Sequence, residues 1–113
     1  MAVKGRAKGR AVVWSESALA DLAAEVKFIA KKDPRAARDV RQKLDATGAT
    51  LGASLTGRPG RVPGTYEKTV TGLRFVLAYA VMSVPDGDAD DEVVVILRAI
   101  HTSRDWPPGD WPD

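Results

Sequence analysis

Apolar and polar positions along this chain change spacing several times, and each change marks an element. Ala11-Val12-Val13-Trp14 is a short apolar run that predicts a first strand. Ser15 or Ser17 then offers an N-cap hydroxyl, and Glu16 suits the positive end of a helix. Leu19, Leu22, Ala23, Val26, Ile29 and Ala30 recur every three or four residues, which places them on one helical face. Asp33-Pro34 ends that helix and opens a second, with Asp33 as N-cap and Pro34 at the first helical position. The second helix carries Ala37, Val40, Leu44, Thr47, Leu51 and Leu55 on its apolar side. Gly48 and Gly52 weaken it by roughly 0.5–1 kcal/mol each relative to alanine, so they predict either close packing on the first helix or loose last turns. Arg35, Arg38, Arg41 and Lys43, interleaved with Asp39 and Asp45, read as a solvated face.

Two helices joined by one tight turn form an αα-hairpin, and their single apolar stripes need a third surface. The period-2 segments downstream supply it. Tyr66–Val70 reads as a strand, Thr71-Gly72 as a turn, Leu73–Met82 as the next strand and Glu92–His101 as the last. On the long middle strand Leu73, Phe75, Leu77, Tyr79 and Val81 share one face and predict the contact with the helices. Val76, Ala78, Ala80 and Met82, with Arg74, form a smaller opposite face with room for something to sit on it. The expected fold is α+β: an N-terminal strand, an αα-hairpin and a small, mainly antiparallel sheet in the order β-α-α-β-β-β.

Between hairpin and sheet lies Gly57–Gly64, with three glycines, two prolines and the arginines Arg58 and Arg61 in eight residues. A loop of fixed shape that carries arginines into the middle of a sheet predicts a binding site on a rigid scaffold. Arg98 interrupts the apolar last strand and calls for a counter-charge, because an unpaired buried charge is costly. A cross-strand ion pair with Glu67 answers this; the alternative is that both residues serve a site. Asp86, Asp88 and Asp90 resemble the start of a calcium loop, but the glycine and bidentate glutamate such a loop needs are out of place, so a solvated turn is expected. Three prolines and a glycine exclude regular structure from Thr102–Asp113, and Trp106 is expected to fold back on the domain.

Composition narrows the chemistry. One domain is expected at residues 11–108, between a disordered basic arm at 1–10 and a tail at 109–113. The arm is either a nucleic-acid or acidic-partner contact, or a solvated tail or expression remnant. There is no cysteine and one histidine, His101, so thiolate metal sites, disulfides and the common zinc arrangements are excluded and no metal or cofactor is expected. No apolar run approaches the roughly 20 residues that span a bilayer, so a cytoplasmic, non-membrane protein is expected. The net charge of +2 hides an asymmetry: +4 over residues 1–10, +4 over 11–85 and −6 over 86–113. A basic body of this kind attracts nucleic acid or an acidic protein.

The segments WSESALADLAAEVKFIA, GRPGRVPGTYE, FVLAYAV and ILRAIHTSRDWP, in this order and spacing over about residues 11–108, resemble the RelE/ParE superfamily of bacterial toxins. The resemblance implies the toxin half of a type II toxin–antitoxin pair, neutralised by an antitoxin that folds on binding along the αα-hairpin and a sheet edge. RelE-like members cleave mRNA in the ribosomal A site; ParE-like members inhibit DNA gyrase. RelE-like enzymes place basic residues on the strand after the loop and an arginine on the central strand. The matching positions here are Glu67, Thr69 and Val76, which cannot neutralise RNA phosphate. The ParE and plasmid-stabilisation branch therefore fits better, with gyrase as target and no chemistry of the protein's own. Target or partner contacts would then be Arg58, Arg61, Tyr66, Arg74, Arg98, His101, Arg104 and Trp106. In the alternative, a metal-independent ribosome-dependent endoribonuclease, His101, Arg104, Arg61 and Tyr66 would be catalytic.

Overall fold

A computed structural model describes residues 10–84 and 91–102. The predicted basic arm up to residue 9, the Asp86–Asp90 turn and the tail from residue 103, with Arg104 and Trp106, lie outside the described residues. Strand β1 (Ala11–Trp14) leads into α1 (Glu16–Ala30) and α2 (Pro34–Ala53). These are followed by β2 (Arg58–Pro59), β3 (Tyr66–Val70), β4 (Phe75–Ser83) and β5 (Glu92–His101). The five strands form one sheet in the order β1-β5-β4-β3-β2, antiparallel throughout except that β1 runs parallel to β5.

The predicted caps form. The Ser15 hydroxyl accepts from the Ala18 N–H, and Asp33 Oδ1 accepts from the N–H groups of Arg35 and Ala36, with Pro34 entering the helix behind it. The helices cover the face of the sheet that carries Phe75, Leu77 and Tyr79, where Leu22, Leu44, Leu51, Val70, Val94 and Ile96 complete the core. The large residues of β4 thus point as their alternation predicted.

Five expectations change. Helix α1 is turned relative to its predicted stripe: Ala18, Leu22 and Glu25 are buried, while Leu19 is 50% exposed and Ala23 is also at the surface. The rotation brings Asp21 onto β5, where three hydrogen bonds hold it. Gly48 and Gly52 serve close packing, but against the sheet and not against α1. A Cβ on Gly48 would lie 2.8 Å from Ile96 Cδ1, and one on Gly52 would lie 2.5 Å from the Arg10 carbonyl oxygen. Helix α2 stops at Ala53, so Leu55 leaves the apolar side and is 42% exposed. Finally, the Gly/Pro loop contains a two-residue edge strand, β2, with Arg58 opposite Glu67 and Pro59 opposite Tyr66. Arg10, counted with the arm by composition, is anchored to the domain: its N–H donates to the Gly52 carbonyl and its guanidinium pairs with Glu92 at 2.8 Å.

Candidate functional site

The arginine loop is shaped by its glycines. Gly57 has φ +115° and sits so close to β3 that a Cβ would lie 2.4 Å from the Glu67 carbonyl oxygen, so only glycine fits. After β2 the chain turns tightly. The Gly60 N–H donates to the Thr65 carbonyl, and both the N–H and the hydroxyl of Thr65 donate to the Val62 carbonyl. This turn folds Val62 onto Ala78 and Ile100, on the face of the sheet away from the helices. The small-residue face predicted to be open is thus partly occupied by the chain's own loop.

Beneath the loop lies Glu67, whose side chain is 8% exposed. Its Oε1 accepts from Arg58 Nη2 at 3.1 Å, and its Oε2 accepts from the Arg61 backbone N–H at 3.3 Å with Arg61 Nε at 3.7 Å. The arginine side chains remain 65% and 46% exposed. One buried carboxylate therefore holds two surface guanidiniums in place. The same three side chains line a cavity of about 200 Å³ with Val76, Ile100, His101 and Thr102. His101 is half-buried, with its ring edge-on to Phe75 at 5.1 Å between centroids. Arg58, Arg61 and His101, picked from sequence, are thus brought together.

Other candidates are not. Tyr66 stacks on Tyr79 at 5.5 Å and lines a separate cavity of about 390 Å³ with Leu55, Thr56, Pro59 and the Arg10–Glu92 pair. It stands two strands across and four residues along from the position of His101, on the order of 16 Å by ordinary sheet spacings. Arg74 is exposed in the turn before β4 and lines neither cavity.

Arg98 has a different carboxylate partner from the one expected. Its Nε and Nη2 donate to the two oxygens of Asp21 at 2.7 and 2.9 Å, and the Ala99 N–H donates to Asp21 Oδ2 at 2.9 Å. Glu67 answers Arg58 and Arg61 instead. The cause is the strand order: Glu67 on β3 and Arg98 on β5 both sit opposite Ala78, so β4 stands between them at about 10 Å, and β1 pairs with β5 only as far as Ile96. Beyond that point the edge of β5 is covered by α1. Ser15 donates its hydroxyl to the Leu97 carbonyl, and Asp21 takes up Arg98 and Ala99. Asp21 was indistinguishable in sequence from Glu16, the exposed acid of the same helix.

Tyr79 is a second residue that sequence reading assigned only to packing. Its hydroxyl donates to the Thr56 carbonyl at 2.6 Å, which ties β4 to the start of the arginine loop. Burial, and then the neighbouring Tyr66, push its pKa above the ordinary tyrosine value. Among the described residues no three His, Asp or Glu side chains cluster as a metal site, and no helix is long and apolar enough to cross a membrane.

Comparison with known proteins places this geometry. The family described as the ParE toxin of the type II toxin–antitoxin system parDE matches residues 12–106. No curated protein matches the chain in sequence. Among solved structures, a chain of the chromosomal ParDE system from P. aeruginosa aligns at 21% identity with a TM-score of 0.69, over 83% of this chain and 97% of that one. A chain of the RelBE2 toxin–antitoxin complex from Mycobacterium tuberculosis aligns at 24% identity with a TM-score of 0.51, over 82% and 91%. The likeness to both is one of fold. With the family match spanning the whole α+β domain, the chain belongs to the ParE toxins of type II toxin–antitoxin systems.

Proposed function

We propose that this toxin arrests growth in the cytoplasm by binding and inhibiting DNA gyrase through its arginine loop, without chemistry of its own. The observation that carries this reading is the separation of Tyr66 from His101, which line different cavities. A general acid and base that share one scissile phosphate must both come within hydrogen-bond reach of it, about 3 Å. Glu67, Thr69 and Val76 add no positive charge that would stabilise a cleavage transition state. One observation favours the second reading, an mRNA endoribonuclease on the ribosome: His101, Arg58 and Arg61 share a cavity. The deciding experiment offers the purified protein both targets. Inhibition of gyrase supercoiling without RNA cleavage supports the binding reading; cleavage of mRNA on programmed ribosomes, with gyrase unaffected, sinks it.

The partner that restrains the toxin is a cognate antitoxin. Phe28, 54% exposed near the C-terminal end of α1 and followed by Lys31 and Lys32, suits the apolar face of an acidic amphipathic helix. Co-expression with the product of an adjacent small reading frame should give a complex that survives purification and melts well above the toxin alone. A toxin whose melting is indifferent to that product would refute the assignment.

A further inference from the structure

We infer that Glu67 is a built-in counter-anion that sets the selectivity of the arginine loop, keeping Arg58 and Arg61 available to a protein surface while making them poor ligands for nucleic-acid phosphate. The proposal rests on the reading of the loop as the target contact and adds the residue that decides what the loop accepts.

The argument begins with burial. A carboxylate 8% exposed is expensive to keep unless charge-assisted hydrogen bonds hold it; here Arg58 Nη2 and the Arg61 backbone N–H donate to it, and the Arg61 guanidinium stands at ion-pair distance, 3.7 Å. The backbone donor belongs to Arg61 itself, so the acid fixes where that arginine sits as well as sharing its charge. Both guanidiniums lean on the carboxylate while keeping much of their surface in solvent. A phosphodiester approaching them meets one net positive charge instead of two, and a fixed negative charge directly behind. Phosphate binding by a single strand scales with the charges neutralised, so the loss of one net charge is felt in both affinity and salt dependence. A protein surface is less affected, because planar, pre-oriented guanidiniums can still donate their remaining N–H groups and stack on apolar or aromatic groups without needing net charge. The neighbouring Val76, Ile100 and Val62 keep the floor of the site apolar, which fits a side chain better than a sugar–phosphate backbone.

The test is Glu67→Gln, which keeps the shape of the side chain and removes its charge. A fluorescent single-stranded oligoribonucleotide is titrated against wild type and variant over a range of salt, with gyrase supercoiling inhibition measured in parallel. The expected result is about tenfold tighter RNA binding by the variant at low salt, with the slope of log K against log salt steeper by about 0.7. The gain should vanish when Arg58→Ala and Arg61→Ala are added. The ratio of RNA affinity to gyrase inhibition therefore shifts toward RNA. Unchanged RNA binding, or a gain that survives removal of both arginines, overturns the proposal. If the glutamine variant does not fold, Glu67→Met removes the charge at similar length and is judged by the same two criteria. If wild-type protein leaves gyrase untouched yet the variant gains arginine-dependent RNA binding, the gyrase reading fails and the assignment of Glu67 stands.

Discussion

Replacing Gly52 with alanine tests how tightly α2 is seated on the sheet, and the neighbouring glycine provides an internal control. A Cβ at residue 52 would lie 2.5 Å from the Arg10 carbonyl oxygen and 3.1 Å from Val12 Cγ2, against an ordinary contact of 3.4–4 Å. The closer obstacle is backbone, and the Arg10 N–H is itself bonded to the Gly52 carbonyl at 2.7 Å, so neither side can yield alone. Relief requires β1 to move, at the expense of its pairing with β5 and of the Arg10–Glu92 ion pair. Overpacking of this kind costs about 1–3 kcal/mol. Alanine returns less than the full helix-propensity gain of about 1 kcal/mol, because residue 52 is next to the last position of α2. We expect Gly52→Ala to lose about 2 kcal/mol. With an unfolding entropy of roughly 2.1 cal/mol/K per residue, that lowers Tm by about 8 °C. At Gly48 the nearest obstacle is the flexible end of Ile96, at 2.8 Å, in mid-helix where the full propensity gain applies. Gly48→Ala should therefore stay within about 1 kcal/mol of wild type. Urea titrations and thermal melts followed by circular dichroism measure both. A Gly52→Ala protein as stable as wild type, or less perturbed than Gly48→Ala, would refute the account of why α2 carries glycines.

Two further outcomes follow from the polar contacts. Asp21→Ala strips Arg98 and the Ala99 N–H of a shared acceptor in a region where the two side chains are 21% and 16% exposed, and should cost about 3 kcal/mol in urea unfolding. Asp21→Asn, which keeps an acceptor but not the charge, should lose less, and losses equal to those of Asp21→Ala would show that the charge alone carries the contact. Tyr79 has a raised pKa in the fold, so above about pH 10 the unfolded chain gives up this proton first and stability falls as pH climbs. Below that pH the contribution is complete. Tyr79→Phe should be about 1 kcal/mol less stable at neutral pH, from loss of the bond to the Thr56 carbonyl, and should show a shallower alkaline decline. Melts at pH 8 and pH 11 separate the two effects.

Much of the architecture was legible because it rests on periodicity. A short apolar run placed β1, strand-like sequence placed β3 and β5 at their observed bounds, and Asp33-Pro34 located the hairpin corner. What escaped were features decided by a partner distant in sequence. The rotation of α1 depends on Asp21 meeting the β5 edge 77 and 78 positions downstream, and no local pattern separates that acid from Glu16 or Asp39. Gly48 and Gly52 announced a close approach but not its object, since the contacts are with Ile96 and Arg10. At the site, the arginines and His101 stood out by type, and the structure puts them in one cavity. The pairing of Glu67 could not be read, because it depends on β2, two residues whose glycine and proline neighbours look like pure loop. Tyr66 shared a motif with the arginines yet lines another cavity, because neighbouring residues on a strand point to opposite faces.

The parallel pairing of β1 with β5 has a consequence for when the toxin comes into being. Ala11 finds its partner at Val93 and Trp14 at Ile96, so the first strand cannot be completed until the last has been made. During synthesis the αα-hairpin emerges early, with Leu22, Leu44 and Leu51 facing a sheet whose central strands do not yet exist. Contacts of such long sequence separation form late and slowly. A nascent chain is therefore an incomplete scaffold for most of its translation, with its sheet closing only as the final strand is delivered. An antitoxin already present in the cell would meet the bare helical hairpin before the finished fold.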